Sequence, residues 1–131
     1  MSTNLHQSIR GVWRLISTRA LTESGNEWPP PYGTEPRGLV QFHANHRMLC
    51  VLVDGIQGLE RSREYLSYTG EYSIDNDVLA TVVDGSSDPS LLGKSQVREI
   101  SLHNARLKLV TPPVPIDGDI VRREFVWEKL A

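Results

Sequence analysis

Residues 67–84 read SYTGEYSIDNDVLATVVD, and the Asn76-Asp77 pair in their middle decides the fold. Asn and Asp accept a positive φ at low cost, and a two-residue loop of that kind matches the twist of the strands it joins. Short runs rich in β-branched and aromatic residues lie on either side, Ser67 to Asp75 and Val78 to Asp84, so the stretch predicts a β-hairpin. The same punctuation recurs along the chain. Gly38 to His43 and Arg47 to Asp54 flank Ala44-Asn45-His46, where Asn45 is the natural residue for a positive φ. Lys94 to Leu102 and Arg106 to Thr111 flank His103-Asn104-Ala105, while Gly11 to Thr18 and Asp119 to Glu128 supply a first and a last strand. Thr22 to Arg37 contains Pro29-Pro30-Pro31, which has no N–H to give a ladder, and so predicts a long loop. Only Gly55 to Leu66, with Leu59, Arg63 and Leu66 at helical spacing, predicts a short helix.

Eight strands joined mostly by tight turns, with no alternation of strand and helix, exclude a parallel doubly wound sheet. Antiparallel strands of that number remove their edges by closing into a barrel, which encloses packed side chains or one small ligand. The expected fold is all-β: an eight-stranded antiparallel up-and-down barrel with one short helix, residues 1–131 making one domain.

Composition narrows the function classes. The 131 residues are 39% hydrophobic and 23% charged, enough to bury a core. Fourteen Lys and Arg against sixteen Asp and Glu give a net charge of −2, which sets up no field for a polyanion, so nucleic acid is not an expected partner. The longest purely apolar run, Met48 to Val53, is far too short to span a bilayer, and MSTNLHQSIR has no signal-like apolar segment. One cysteine, Cys50, makes no internal disulfide. Those features together predict a cytoplasmic protein without membrane association; the oligomeric state is not legible.

Several motifs carry a resemblance. They are GVWRLIS at 11–17, PYGTEPRG at 31–38, Phe42 followed by a hairpin with Met48, and Tyr68-Thr69-Gly70-Glu71-Tyr72. Gly93, Gln96-Val97-Arg98, Leu107-Lys108-Leu109, Thr111-Pro112-Pro113 and Trp127-Glu128 complete the series. In order and spacing the chain resembles the lipocalin-like domain family of small barrels. The resemblance implies a calyx (lipocalin/calycin-like) for a small apolar molecule, and a Gly-x-Trp tryptophan, here Trp13, closing the barrel's base beneath an arginine of the last strand, Arg122 or Arg123. Many relatives carry histidines on the fifth strand, where this chain has Thr81 and Val82, so chemistry relying on those imidazoles is not expected here.

Strand alternation assigns an inward face. It comprises Trp13, Leu15 and Ser17; Val40 and Phe42; Met48, Cys50 and Leu52; Tyr68, Gly70, Tyr72 and Ile74; Gln96, Arg98, Ile100 and Leu102; Leu107, Leu109 and Thr111; and Arg123, Phe125 and Trp127. The fifth strand has valine or leucine on both faces and stays open. Apolar walls with a few polar handles suit a ligand pocket, so Trp13, Phe42, Met48, Cys50, Tyr68, Tyr72, Gln96, Arg98 and Trp127 are the expected ligand-binding residues. Arg98, Gln96 and one tyrosine would make a polar corner, since a buried guanidinium needs a carboxylate, a π face or a ligand acceptor. The plainer reading pairs Arg98 with Glu71 or Glu99 at a rim and leaves the tyrosines as packing.

Other chemistry finds little support. His43 and His46 bracket a turn without further ligands, so no metal is expected. His103 sits in another turn, and Cys50 in an apolar run reads as inert filler. The glycines form no phosphate cradle, so no cofactor is expected. Tyr68, Tyr72, Glu71 and Asp84 remain candidates for moving a proton at a barrel mouth. The expected function is binding of one small hydrophobic molecule, with Trp28 and Tyr32 of the proline loop covering the mouth. The alternative is an isomerase or cyclase acting on a small hydrophobic secondary metabolite by posing it in the same cavity. A third reading is a filled barrel that meets another protein.

Overall fold

The computed structural model describes residues 4–58 and 63–131. A one-turn helix, α1 (Leu5–Ser8), precedes nine strands. These are β1 (Gly11–Thr22), β2 (Pro36–Phe42), β3 (Arg47–Asp54), β4 (Tyr65–Asp75), β5 (Val78–Ser86), β6 (Ser95–His103), β7 (Arg106–Val110), β8 (Val114–Ile116) and β9 (Asp119–Lys129). Strands β1 to β7 pair antiparallel in chain order, β7 pairs with β9, and β9 returns to β1, which closes an eight-stranded barrel. β8 is an extra short strand beside the start of β9. It lies along β9 beyond β7, and the proline pair Pro112-Pro113, lacking N–H donors, separates the two.

The ends of the barrel differ. Three tight turns, at residues 43–46, 76–77 and 104–105, gather at the base with α1, while the longer connections gather at the mouth. Asn76 and Asp77 both take positive φ, as do Asn104 and Ala105, giving two mirror-type hairpin turns. In the first hairpin the left-handed residue is His46, at φ 67°, rather than Asn45. Asn45 instead turns its side chain to accept from the Arg47 N–H at 3.2 Å, a local bond open to an Asx residue. Closure at the base explains the glycine of the first strand. Gly11 sits at φ 126° with the Ala131 carbonyl oxygen where a Cβ would project.

The inward faces follow the expected alternation with informative exceptions. β1 carries a bulge between Leu15 and Ser17, so Ile16 and Ser17 are both exposed and Thr18 becomes the buried residue. An extra residue reverses the phase of everything after it. That corrects Ser17; β1 also runs four residues past Thr18, because its pairing with β9 continues to Thr22 opposite Val121. On β5 the inward residues are Leu79, Thr81 and Val83, with Val78 and Val82 facing solvent. Leu102 is inward by register against Leu107, yet it lies where β6 ends and stays exposed at the rim. Arg123 faces Ala20 at the mouth, where the wall ends, and is also exposed. The helix expected over 55–66 is not formed where it is described: 55 and 56 are irregular, 57 and 58 make a turn, and Tyr65 and Leu66 open β4. Residues 59–62, including Leu59, lie outside the described residues.

One cluster fills the barrel from Ile9 and Trp13 at the base to Tyr32 at the mouth. No described helix is long and apolar enough to cross a membrane.

Candidate functional site

The nine expected ligand-binding residues fall into two groups along the barrel axis. Trp13, Phe42, Met48, Tyr72 and Trp127 pack at and above the base, each no more than 2% exposed. The Trp13 indole N–H donates to the Ile9 carbonyl at 2.7 Å, which ties the plug to the segment covering it. The cation over its ring is Lys129 Nζ, 5.6 Å from the centroid, and neither Arg122 nor Arg123. Register decides this: Trp13 pairs with Lys129, whereas Arg122 and Arg123 face Leu21 and Ala20 near the mouth. Phe42 meets Tyr72 edge-on at 5.2 Å, and the Tyr72 hydroxyl donates to the His43 carbonyl at 3.0 Å. Thr81, which alternation alone did not single out, is 1% exposed and points its hydroxyl at Met48 Sδ, 2.9 Å away. Trp127 Nε1 is buried with no hydrogen-bond partner among the described residues.

Cys50, Tyr68, Gln96 and Arg98 form the second group, nearer the mouth. Cys50 and Tyr68 are direct partners across β3 and β4, and both are buried. Burial pushes the Cys50 thiol up to about 12, opposed by Arg98 and by the Tyr68 hydroxyl. Burial drives Tyr68 up as well, with Cys50 reinforcing it and Arg98 opposing. Both groups therefore hold their protons at neutral pH. Arg98 Nη2 donates to Gln96 Oε1 at 2.9 Å and Nη1 to the Val97 carbonyl at 2.7 Å. Its rim pairing with Glu99 does not occur, because Glu99 is bound to Arg122 on the outside. Arg98, Gln96 and a tyrosine do share one region of the barrel.

Tyr32 completes that region from above. Of the two aromatic residues in the proline loop, Trp28 stays half-buried beside Asp119, whereas Tyr32 is 4% exposed within the interior cluster. Its ring centroid is 6.2 Å from that of Phe125. Its backbone takes φ 62°, a left-handed conformation costly for an aromatic residue. Glu64 holds it there, accepting the Tyr32 N–H at 2.8 Å while facing Arg123 at 3.7 Å. The Thr18 hydroxyl donates to the Pro31 carbonyl at 2.6 Å and fixes the loop next door. Burial, with Glu64 adding to it, pushes the Tyr32 phenol up to about 12. Glu64 was not a sequence candidate, since it lies in the stretch whose spacing predicts a helix.

Among the described residues no three His, Cys, Asp or Glu side chains gather as a metal site. The arrangement offers hydrogen-bond donors at one level of an otherwise apolar interior, which suits recognition of an acceptor on a small molecule. Small-molecule binding in general is the function to which a closed barrel of this kind lends itself.

The profile of the lipocalin-like domain family matches residues 56–130, from the connection after β3 to the last strand. No curated protein and no solved structure matches the chain. With more than half its length matched and a closed eight-stranded barrel to carry the match, the chain belongs to the lipocalin-like domain family.

Proposed function

We propose that the barrel binds one small, largely apolar molecule carrying a carbonyl or carboxylate, and that Arg98, Gln96 and Tyr68 receive that group. The observation that carries this reading is the state of Arg98. It is inward by register and hydrogen-bonded only within its own strand among the described residues, close enough to Tyr68, Cys50 and Tyr32 to pull down the pKa of each. A guanidinium so placed keeps donors to spare, and an acceptor-bearing ligand satisfies them. Trp13, Phe42, Met48, Tyr72 and Trp127 contribute the apolar wall, with Cys50 as a small apolar neighbour. The interior suits a hydrophobic ligand because its remaining surface is aliphatic and aromatic. Cytoplasmic residence accords with a lone, buried, unpaired cysteine.

Tryptophan fluorescence titration with aliphatic and aromatic ketones and carboxylates tests the reading. A saturable change with one class, weakened about tenfold or more by Arg98→Met, is the expected result, a charge-assisted hydrogen bond being worth roughly 1.5–3 kcal/mol. Unchanged affinity in a folded Arg98→Met protein sinks the assignment. The isomerase or cyclase reading has one feature in its favour, the donor pair at Tyr68 and Arg98. Such an enzyme would work by donating hydrogen bonds to a posed substrate, because Tyr68 and Cys50 retain their protons.

A further inference from the structure

The proline loop covers a small chamber at the mouth, and strand register says what stands beneath it. Because the β1 bulge puts Thr18 on the inward face, the next inward position of that strand is Ala20. Ala20 pairs with Arg123 and Thr22 with Val121, so Val121 and Arg123 share that face. Phe125, one inward position further down β9, packs against Tyr32 and forms the layer below. Trp28, Pro30 and Ile116 join Ala20 and Val121 around a cavity of about 220 Å³, with Glu64 and Arg123 in its wall.

The cover is preformed. Pro29-Pro30-Pro31 fixes φ at three successive residues and offers no N–H for a ladder. Threonine hydroxyls of β1 hold the loop instead: Thr22 donates to the Asn26 carbonyl at 2.7 Å, and Thr18 to the Pro31 carbonyl at 2.6 Å. The Tyr32 N–H is bound to Glu64 at 2.8 Å just beyond. A guest therefore has little chain left to order.

The lining sets the class of guest. At that volume, below the roughly 300 Å³ at which drug-sized pockets begin, the chamber admits nothing larger than a bicyclic ring system. Its walls are apolar apart from one group of each sign. Arg123 Nη1 and Glu64 Oε2 stand 3.7 Å apart, too far for a hydrogen bond. Their opposite charges leave no net field to favour an anion or a cation. What they offer is a donor beside an acceptor.

We propose that this chamber is a second binding site, for a neutral bicyclic ring system whose polar edge carries an acceptor and a donor side by side, as a lactam does. The lactam carbonyl accepts from Arg123 and its N–H donates to Glu64. The site goes beyond the Arg98 reading and does not rest on it.

Proton–nitrogen correlation spectra of the full chain, titrated with oxindole, test the proposal. The three tryptophans give three indole N–H signals, and Trp28→Phe identifies its own by removing it. The Trp28 signal is expected to shift saturably while those of Trp13 and Trp127 stay in place. Arg123→Met should weaken binding about tenfold, and N-methyloxindole, which lacks the donor, should bind the wild type about tenfold more weakly. Arg122→Met removes the same charge from the outer face, where it meets Glu99, and should leave affinity within about twofold. Phenylacetate and phenethylamine, of one sign each, should both bind more weakly than oxindole. If Arg123→Met does not fold, as judged by signal dispersion, Ala20→Leu fills the chamber and carries the same expectation. The proposal is overturned if no signal saturates, if Trp13 or Trp127 responds instead, or if Arg123→Met or Ala20→Leu binds unchanged. It is overturned equally if Arg122→Met weakens binding as much as Arg123→Met, or if N-methyloxindole or a charged probe binds as tightly as oxindole. None of these results touches the binding of ketones and carboxylates, which stands or falls on Arg98→Met.

Discussion

Tyr68 and Cys50 stand directly opposite each other on β4 and β3, both buried inside the barrel. The thiol is buried and held near a pKa of about 12, so almost no thiolate exists at neutral pH. Native protein at pH 8 should react with a thiol reagent such as iodoacetamide only as fast as it opens, and rapid labelling should require denaturant. The sign of the linkage follows from the raised value. Unfolded chain loses its thiol proton near pH 8.5, so the stability held by the protonated Cys50 is full below that pH and fades as pH climbs toward about 12. Cys50→Ala should flatten that alkaline decline in urea unfolding series.

Trp13 should dominate stability at the base. Replacing it by alanine removes a large buried side chain and leaves the Ile9 carbonyl without its donor, which predicts a loss of about 3–5 kcal/mol in chemical denaturation. Lys129→Met should cost under about 1 kcal/mol, since the cation over the ring is solvent-accessible. A loss from Lys129→Met as large as that from Trp13→Ala would refute this ranking.

On the outer wall, Arg47 grips both oxygens of Asp84 at 2.6 and 3.0 Å, and Thr69 donates to the same carboxylate at 2.8 Å. The Arg47 bond, then the Thr69 bond, lower the Asp84 pKa to about 2. NMR titration should find Asp84 ionised down to about that pH, and Arg47→Met should return it toward the ordinary carboxylate range. A lowered value makes this clasp favour the folded state above about pH 4 and lose that effect as pH falls through about 2. The group is exposed, so high salt should shrink the effect.

At the base, His6 Nε2 and His46 Nδ1 share a hydrogen bond of 3.0 Å, and the His6 ring stacks 5.1 Å from that of Tyr72. Partial burial, then His46 and Arg10, lower the His6 pKa below 6.5. The neutral form thus suits the packed α1, and its contribution is full above pH 6.5 and lost as pH falls through the lowered value. Imidazole proton shifts should show His6 titrating below 6.5, and His46→Asn should move it upward. Hydrogen exchange at residues 5–9 should quicken on acidification in the wild type and less so in His46→Asn.

The hairpins were legible because their turns are local chemistry: Asn76, Asp77 and Asn104 tolerate the left-handed backbone they adopt, and Asn104 marks the turn that also carries Ala105 into it. Inward faces were legible wherever alternation ran unbroken, as from Met48 to Leu52 or Phe125 to Trp127. The β1 bulge was not, because Ile16 and Ser17 carry no glycine or proline to mark an extra residue, and its consequence fell on Thr18. The cation over Trp13 depends on a register between strands more than a hundred residues apart, which no local pattern encodes. The polar region around Arg98 was readable in its membership. That Tyr32 reaches it through a left-handed backbone anchored by Glu64 was not, since the contact joins two loops.

Barrel closure also has a kinetic meaning. Nearly every ladder joins neighbours in sequence and can form as a hairpin within microseconds, but β1 and β9 meet across almost the whole chain. The entropy of bringing such distant segments together is lost before any of their contacts repay it. Zipping should therefore proceed round the barrel from its turns and finish at the β1–β9 junction. Until that last step, two open strand edges are exposed to other chains. The ladder that makes the native molecule edgeless is thus the one whose delay leaves the nascent molecule most prone to aggregate.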